Sequence, residues 1–258
     1  MLKRKLQVED ESDSSDSNSS NTNTISESFL DIAKKLNVEL DKINFLNEID
    51  YVYNPTKYAY PCYKNYIEKY CNTTKHIMFL GMNPGPWGMS QTGVPFGEVD
   101  IVRDWLKIEG SIGKPEKELP SRPVLGFNCK RHEISGQRFW GLMKEVCKDP
   151  EAFFCNCFLY NYLPLQFLKK SGKNITPAEL KVSLKFLFTS YSQNVFALVV
   201  VRFHYQHTYP ETLNGKAQNS VLTNLSLKFI RGQIHNKLNC RNHAFSLLYI
   251  SKDLILFF

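Results

Sequence analysis

The spacing of apolar residues predicts alternating helices and strands. Between residues 26 and 46 the apolar positions recur at helical intervals, which predicts an amphipathic helix. The run at 77–80 is continuously apolar, as in strands that are buried on both faces. Similar runs predict a second strand over 152–161 and a third near 195–203. The positions that carry the first helix are Phe29, Ile32, Ala33, Leu36, Leu40 and Ile43.

Three more helices are predicted between and after these strands. One follows the first strand at 97–106, with Val99, Val102 and Leu106 at helical intervals. Another begins with Ser135 as its N-cap and carries an apolar stripe. A capping box of Thr176 and Glu179, with proline between them, starts the last one. The alternation of strand and helix predicts the α/β class. The apolar stripe of the helix that begins at Ser135 consists of Phe139, Trp140, Met143, Val146 and Cys147.

The loop after the first predicted strand has an unusual composition. Residues 81–98 read GMNPGPWGMSQTGVPFGE, with five glycines and three prolines. Glycine permits backbone shapes that other residues avoid, whereas proline fixes φ. In open α/β sheets, ligands bind beyond the carboxyl ends of the strands, where this loop lies. It has neither a GK[ST] ending nor GxGxxG spacing, so it is not a phosphate loop. We interpret it as a wall of fixed shape that places one side chain accurately.

Three polar or aromatic residues near the strand ends suggest a chemistry. Asn83 follows the first predicted strand, Asn161 ends the second, and Phe96 lies in the loop. A nucleobase is held by stacking on an aromatic face and by hydrogen bonds to its edge, and an amide offers one donor and one acceptor side. The alternative is that the amides cap turns and the ring packs in the core. The residue types alone favour that alternative.

Composition and charge divide the chain into regions. Of the 258 residues 43% are hydrophobic, which is enough for a sizeable core, and no apolar run is long enough for a membrane span. Residues 1–24 are acidic and serine-rich, and we predict that they are disordered. The KRK at residues 3–5 is either a nuclear import signal or a plain basic terminus.

The net charge of +7 arises entirely in the last third of the chain. Residues 181–258 contain nine Lys/Arg and two Asp/Glu, whereas the preceding residues contain 23 of each kind. A basic surface favours phosphate backbones. Charge alone, however, favours a solvated positive face without a partner over a surface that binds nucleic acid.

Six segments between residues 26 and 180 carry a resemblance to a known family. They resemble the single-strand-selective monofunctional uracil-DNA glycosylases, which belong to the uracil-DNA glycosylase superfamily. The segments, in chain order, are YNPTKYAY, FLGMNPGPWGMSQTGVPFGEVDIVRDWL, SRPVLGF, SGQRFWGLM, CFLYNYLPLQFL and SGKNITPAEL.

The resemblance implies a three-layer αβα fold around a central parallel four-stranded sheet. It also implies a monomeric nuclear enzyme that flips uracil out of single- or double-stranded DNA and hydrolyses the N-glycosidic bond, initiating base excision repair. C5-oxidised uracils such as 5-hydroxymethyluracil would also be substrates. No metal, cofactor or membrane is expected.

The resemblance also assigns roles to particular residues. Asn83 would position the attacking water. Phe96 would stack on the flipped base, and Asn161 would bond the Watson–Crick edge of uracil. Gly85 and Met89 would lie near C5 of the base. The implied substrate-binding set is Met82, Gly85, Met89, Phe96 and Asn161.

The chain departs from the family after Leu180. The family's second catalytic motif, HPSP, does not occur, and no histidine here has its context. We therefore expect a glycosylase-like domain at 25–203 and a divergent basic region of uncertain fold at 204–258. Two alternatives to an active glycosylase stay open: a catalytically weakened or inactive DNA-binding relative, and a mis-joined or read-through C-terminus. The four histidines without the motif are His204, His207, His235 and His243.

Two classes of hydrolase are disfavoured by the sequence. No GxSxG occurs, which argues against a Ser/His/Asp hydrolase. Glu98 and Asp104 could supply the pair of acids that a two-carboxylate glycosidase needs. Because both belong to the predicted helix after the loop, we interpret them as capping and ion-pairing groups.

Overall fold

A computed structural model describes residues 24–45, 49–75, 77–176, 179–180, 247–250 and 253–257, the last two ranges by their backbone. The helices are α1 (Ile25–Asp41), α2 (Pro55–Tyr58), α3 (Tyr60–Tyr70), α4 (Met89–Thr92), α5 (Ile134–Cys147) and α6 (Pro150–Asn156), with a π-helical turn at Ile101–Trp105 and a 3-10 turn at Gly126–Asn128. The strands are β1 (Tyr51–Tyr53), β2 (Ile77–Gly81), β3 (Cys157–Asn161), β4 (Gln166–Leu168), β5 (Asn174–Ile175), β6 (Leu247–Ile250) and β7 (Asp253–Phe257).

Helix α1 confirms the helix predicted from the first apolar pattern. It begins with a capping box: the Thr24 side chain accepts from the Glu27 backbone at 3.2 Å, and Glu27 accepts from the Thr24 backbone at 2.8 Å. This exchange satisfies two donors that have no partner within the helix. Its apolar face packs on β3 through Phe29, whose ring lies 5.9 Å from Phe158 and 5.3 Å from Tyr160.

In the part of the chain that the structure describes, the larger sheet has four strands in the order β3-β2-β7-β6. Strand β2 is parallel to both β3 and β7, whereas β6 is antiparallel to β7. Within the described residues three strands are therefore parallel, as predicted, and a four-stranded parallel sheet is not confirmed. Only residues 251–252 separate β6 from β7, and so short a connection can join only antiparallel strands. The strand predicted near 195–203 lies outside the described residues.

Helices pack on both faces of β2 and β3. On one face, α1 and α3 meet Phe158, whose ring lies 5.4 Å from that of Tyr66. On the other face, the ring of Phe79 lies 5.2 Å from that of Phe139 in α5. Both strands are buried along their whole length, which explains their continuous apolar runs. The second sheet is antiparallel, with the order β1-β4-β5.

The strand predicted over 152–161 is wrong in its first half. Residues 150–156 form α6, and only the second half forms β3. Asp149 caps α6 by accepting from the Ala152 backbone at 2.7 Å, and Pro150 occupies its first turn. An acidic N-cap followed by proline favours a helix start over a strand.

Of two further helix predictions, the first is confirmed and the second needs correction. After the loop, the chain is α-helical at residues 99–100 and continues as the π-helical turn Ile101–Trp105, and Lys107 then adopts a left-handed φ of 53°. The N-cap of α5 is Glu133 rather than Ser135. The Ser135 hydroxyl instead donates to the Glu133 carboxylate at 2.7 Å.

The chain ends mostly lie outside the described residues. Residues 1–23 and 181–246 are not covered, so the predicted disorder at 1–24 stays a prediction, and of the divergent region at 204–258 only β6 and β7 are described. One of the two bonds of the predicted capping box at 176–179 is present: Glu179 accepts from the Thr176 backbone at 2.9 Å. The Glu179 backbone, however, donates to the Thr176 carbonyl at 3.0 Å instead of to its side chain. None of the helices within the described ranges has the length and apolarity to cross a membrane.

Candidate functional site

The ends of β2 and β3 lie side by side and bring the predicted site residues to one edge of the sheet. Gly81 faces Asn161 in the parallel register. Past the strands, the Tyr162 backbone donates to Gly81 at 2.8 Å, and the Leu163 backbone donates to Met82 at 3.0 Å. The glycine- and proline-rich loop therefore leaves β2 directly beside the chain that follows Asn161, at the edge where ligands bind in such sheets.

Asn161 is a buried amide with an unsatisfied oxygen. The residue is 2% exposed, and its Nδ2 donates to Met89 Sδ at 3.1 Å. Among the described residues no donor reaches Oδ1, which is itself buried. Buried polar atoms nearly always have a partner, and leaving one unmade costs ~1–3 kcal/mol. This oxygen therefore indicates a ligand that supplies a donor.

The absence of a side chain at Gly81 lets two site groups meet. A Cβ built there would come within 3.0 Å of both Asn161 Oδ1 and the ring atom Cε2 of Phe96, closer than real Cβ contacts. The amide oxygen and the edge of the aromatic ring thus pack against the same backbone atom. Any larger residue would push the two apart.

Phe96 is held in a strained backbone conformation. Its φ of 53° lies in the left-handed region, which residues with bulky side chains rarely adopt and which costs about 1–3 kcal/mol. Its carbonyl oxygen accepts from Trp140 Nε1 at 3.1 Å and from the Glu98 backbone at 2.8 Å. Its half-buried ring lies 5.6 Å from that of Phe139. Such strain persists where the surroundings fix it, often at functional sites.

Asn83 is held by strand β5, a contact that the sequence did not predict. Its Nδ2 donates to the Ile175 carbonyl at 3.3 Å, which leaves the amide oxygen as the acceptor end of a half-buried side chain. One residue earlier in β5, Asn174 donates to the Pro84 carbonyl at 3.4 Å. Together with the fixed φ of its prolines, these bonds make this part of the loop rigid.

Glu133 is a second residue that sequence reasoning missed. Its carboxylate lies so close to Gly85 that a Cβ there would approach it within 3.0 Å, and a Cβ at Gly88 would approach its Cγ at 2.7 Å. The glycines of the loop therefore make room for an acid that comes from the start of α5. Nothing in the local spacing around Glu133 signals this contact.

The two methionines of the predicted set occupy different environments. Met89 is 1% exposed and contacts the Asn161 amide, whereas Met82 is 51% exposed. The structure thus brings Met89, Phe96 and Asn161 together around Gly81. Asn83 and Gly85 lie in the adjoining loop, and Met82 faces outwards.

Glu98 and Asp104 serve as a capping group and an ion-pairing group, as predicted. Buried Glu98 accepts from the Ile101 backbone at 3.1 Å and lies 2.7 Å from His132 Nδ1. This hydrogen bond raises the pKa of His132. Asp104 pairs with Arg103 at 2.7 Å.

One group of potential metal ligands lies near this pair. Within the described ranges, the ligand atoms of Glu98, Asp100 and His132 all lie within 4.8 Å of one another. Asp100 also pairs with Arg103 at 2.7 Å, so all three side chains already have partners within the protein. The cluster is accounted for by these structural bonds.

Comparison with known proteins relates this site to a class of enzymes. No family model matches the chain. A rat (Rattus norvegicus) protein named single-strand selective monofunctional uracil-DNA glycosylase is 50% identical over 157 residues, which are 61% of this chain and 56% of that protein. A bovine (Bos taurus) protein of the same name is also 50% identical over 157 residues, which are 61% of this chain and 58% of the relative. The matched part of the chain is homologous to these glycosylases.

The homology covers part of the glycosylases as well as part of this chain. The chain spans little more than half the length of the curated glycosylases it matches. A solved structure titled "The crystal structure of WT Pedobacter heparinus SMUG2" aligns with a TM-score of 0.39 and 19% identity, covering 78% of this chain and 82% of that one.

Proposed function

We propose that this chain is a monofunctional uracil-DNA glycosylase. It would hydrolyse the N-glycosidic bond of uracil in single- and double-stranded DNA and so initiate base excision repair. The observation that carries the proposal is the buried, unsatisfied Oδ1 of Asn161 beside the ring of Phe96. The 50% identity to proteins named for this activity supports it. A three-layer αβα arrangement is part of the proposal, supported by the helices on both faces of β2 and β3.

The Asn161 amide matches the edge of uracil. Its Oδ1 can accept from N3–H, and its Nδ2 can donate to O4. The acceptor that Nδ2 now uses is a thioether sulfur, which is a weak one, so O4 would replace it at little cost. Cytosine presents an acceptor at N3 and a donor at C4, which is the reverse pattern.

Phe96 would supply the face on which the flipped base stacks. An enzyme that acts on a base must take it out of the duplex, and stacking on an aromatic ring helps to hold it. The strained backbone fixes the ring beside Asn161, so stacking and edge recognition are set up before DNA binds.

Asn83 would orient the water that attacks the sugar. The Ile175 carbonyl fixes the amide through Nδ2, so Oδ1 can accept a hydrogen bond from water. The water oxygen bonds to the anomeric carbon, the C–N bond breaks, and its electron pair leaves with uracil. An amide does not take up a proton at neutral pH, so the water's proton passes to solvent. Asn83 thus contributes by position, which is a large term in catalysis.

The test is release of uracil by the full-length chain from single- and double-stranded oligonucleotides with one uracil. The matched control is the same oligonucleotides with thymine. Release from uracil DNA alone supports the proposal. No release from either strand form, at enzyme in excess over DNA, contradicts it.

A catalytically weakened DNA-binding relative is the second candidate. It is favoured by the absence of HPSP from the 258 residues, because the resemblance assigns stabilisation of the leaving uracil to the histidine of that motif. Losing one such donor typically costs about 100- to 1,000-fold in rate. Tight binding of a noncleavable uracil analogue without release of uracil would indicate this second function.

Three further properties belong to the proposal. Gly85 and Met89 would line the space at C5 of the base, so oxidised uracils such as 5-hydroxymethyluracil would be substrates. Competition of DNA that contains 5-hydroxymethyluracil against uracil DNA would test this.

A nuclear localisation is proposed from the DNA substrate and is consistent with the KRK at residues 3–5. Microscopy of the tagged full chain would test it. Sedimentation would test the proposed monomeric state.

Replacing Phe96 by alanine should weaken capture of the flipped base. Stacking on an aromatic side chain is worth about 1–3 kcal/mol per base, so binding to a noncleavable uracil analogue should fall roughly 5- to 150-fold. Binding to undamaged DNA should stay the same. The matched control is Phe127→Ala, which removes another half-buried phenylalanine. Equal losses on both DNAs would show that Phe96 is only a packing residue.

Replacing Asn161 by aspartate should relax the selectivity for uracil over cytosine. Burial raises the pKa of a carboxyl group, and the protonated form can donate to cytosine N3 and accept from its amino group. Excision of cytosine should therefore appear, and it should increase as the pH falls. Asn161→Ala is the control, because it removes the amide without creating the new donor. A variant that still rejects cytosine fully would mean that other groups read the base edge.

A further inference from the structure

Two arginines lie against the one tryptophan of the glycine- and proline-rich loop. The guanidinium carbon of Arg131 is 4.7 Å from the centre of the Trp87 ring, and that of Arg122 is 5.3 Å from it. Both distances are within the range of cation–π attraction. Trp87 lies four positions after Asn83, so both cations contact the loop that carries Asn83.

The segment that carries Arg122 is fixed to the loop by Gln91, which is buried. Its Nε2 donates to the Pro86 carbonyl at 2.8 Å and to the Pro123 carbonyl at 2.9 Å. Its Oε1 accepts from the Leu125 backbone at 2.7 Å. The Gln91 side chain thus joins the residue before Trp87 to the residues that follow Arg122.

The segment that carries Arg131 is fixed to the loop by the two residues that follow it. His132 pairs with buried Glu98 at 2.7 Å. Glu133 packs its carboxylate against Gly85. Arg131 itself is exposed, as is Lys130 before it. The backbone of Arg131 is therefore anchored to the loop while its charge faces solvent.

These two arginines lack the acidic partner that surface arginines often have. Arg103, for comparison, is neutralised by Asp100 and Asp104, each at 2.7 Å. No carboxylate among the described residues lies within 4.0 Å of either Arg122 or Arg131. Their positive charges therefore stay available to an anionic ligand.

We propose that Arg122 and Arg131 form a phosphate clamp for the DNA strand, with Trp87 as the residue that positions them. Guanidinium groups bind phosphate through two parallel N–H bonds, so each of the two arginines can hold one backbone phosphate of the strand. The contact is independent of sequence and fixes the register of the strand beside the base pocket. The choice of a DNA strand as the ligand of the clamp rests on the proposed function.

The test measures binding of the full-length chain to a fluorescent single-stranded oligonucleotide that contains no uracil, over a range of salt concentrations. Each phosphate contact contributes about 0.7 to the slope of log K against log salt for single strands. Arg131→Gln should lower affinity and reduce the slope by about that amount, and Arg122→Gln/Arg131→Gln by about twice as much. Arg131→Lys, which keeps the charge, should restore the slope. Trp87→Leu should lower affinity although both charges remain.

The matched control is Arg103→Gln, which removes an exposed arginine whose charge is already paired and should leave the slope unchanged. Arg131 is exposed, so its single variant keeps the test valid if the double variant does not fold. A double variant that keeps the wild-type slope overturns the clamp. A second result would also overturn it. If the double variant loses affinity for an acidic peptide and keeps its full affinity for the oligonucleotide, the two arginines bind a protein partner instead of DNA. Because the DNA carries no uracil, these results do not depend on whether the chain excises uracil.

Discussion

Replacing Asn83 by alanine is expected to lower the single-turnover rate of uracil excision by about 100-fold or more. In the proposed mechanism the amide accepts from the attacking water, and its orientation is fixed through the 3.3 Å bond to the Ile175 carbonyl. A water displaced by about an ångström costs on the order of a hundredfold in rate. Affinity for uracil DNA should hardly change, because the side chain contacts the water rather than the base.

Quench-flow measurement of excision and fluorescence anisotropy of binding would check both parts. The matched control is Asn128→Ala, which removes an exposed asparagine from the 3-10 turn. An excision rate for Asn83→Ala equal to that of this control would remove Asn83 from the mechanism. A parallel loss of affinity would instead assign the residue to DNA binding.

Replacing Gly81 by alanine is expected to lower the rate of uracil excision as much as Asn83→Ala does. The new methyl group would overlap both Asn161 Oδ1 and the Phe96 ring, so at least one of them must move. Base recognition and stacking would then fail together, with a loss of about 100-fold or more in single-turnover rate. Overpacking of this kind also costs about 1–3 kcal/mol in stability, so the thermal midpoint should fall by a few degrees.

Gly141→Ala is the matched control, since nothing lies within 4 Å of a Cβ at that position in α5. Alanine in a helix interior is more stable than glycine by roughly 0.5–1 kcal/mol, so this variant should melt slightly higher and excise uracil normally. Normal excision by Gly81→Ala would show that the amide and the ring do not act as one site.

The parts of the site that the sequence predicted are those with a local signal. Strand β2 is buried on both faces, so its apolar run is continuous, and the loop after it had to lie at the edge of the sheet. Asn161 was placed at the end of β3 for the same reason. The helix α6 was missed although Asp149 and Pro150 carry a helix-start signal, because the apolar run across 152–161 masked it.

The contacts that complete the site have no such signal. Asn83 is oriented by Ile175, and Gly85 is covered by Glu133, in both cases by a residue far along the chain. Contacts of this kind depend on tertiary packing and follow no period. The left-handed φ of Phe96 was also unpredictable, because such a conformation is typical of glycine and asparagine rather than of an aromatic residue.

The position of β2 at the centre of the larger sheet determines when the protein can fold during its synthesis. Both strands that pair with β2 come later in the chain, β3 at Cys157–Asn161 and β7 at Asp253–Phe257. Parallel pairing over such separations is slow, because the intervening chain must be ordered first. Until β3 has been made, both edges of the strand IMFLG lack the neighbouring strands with which they pair in the folded sheet. We therefore expect nascent chains that stop before residue 157 to associate with one another instead of forming a stable intermediate.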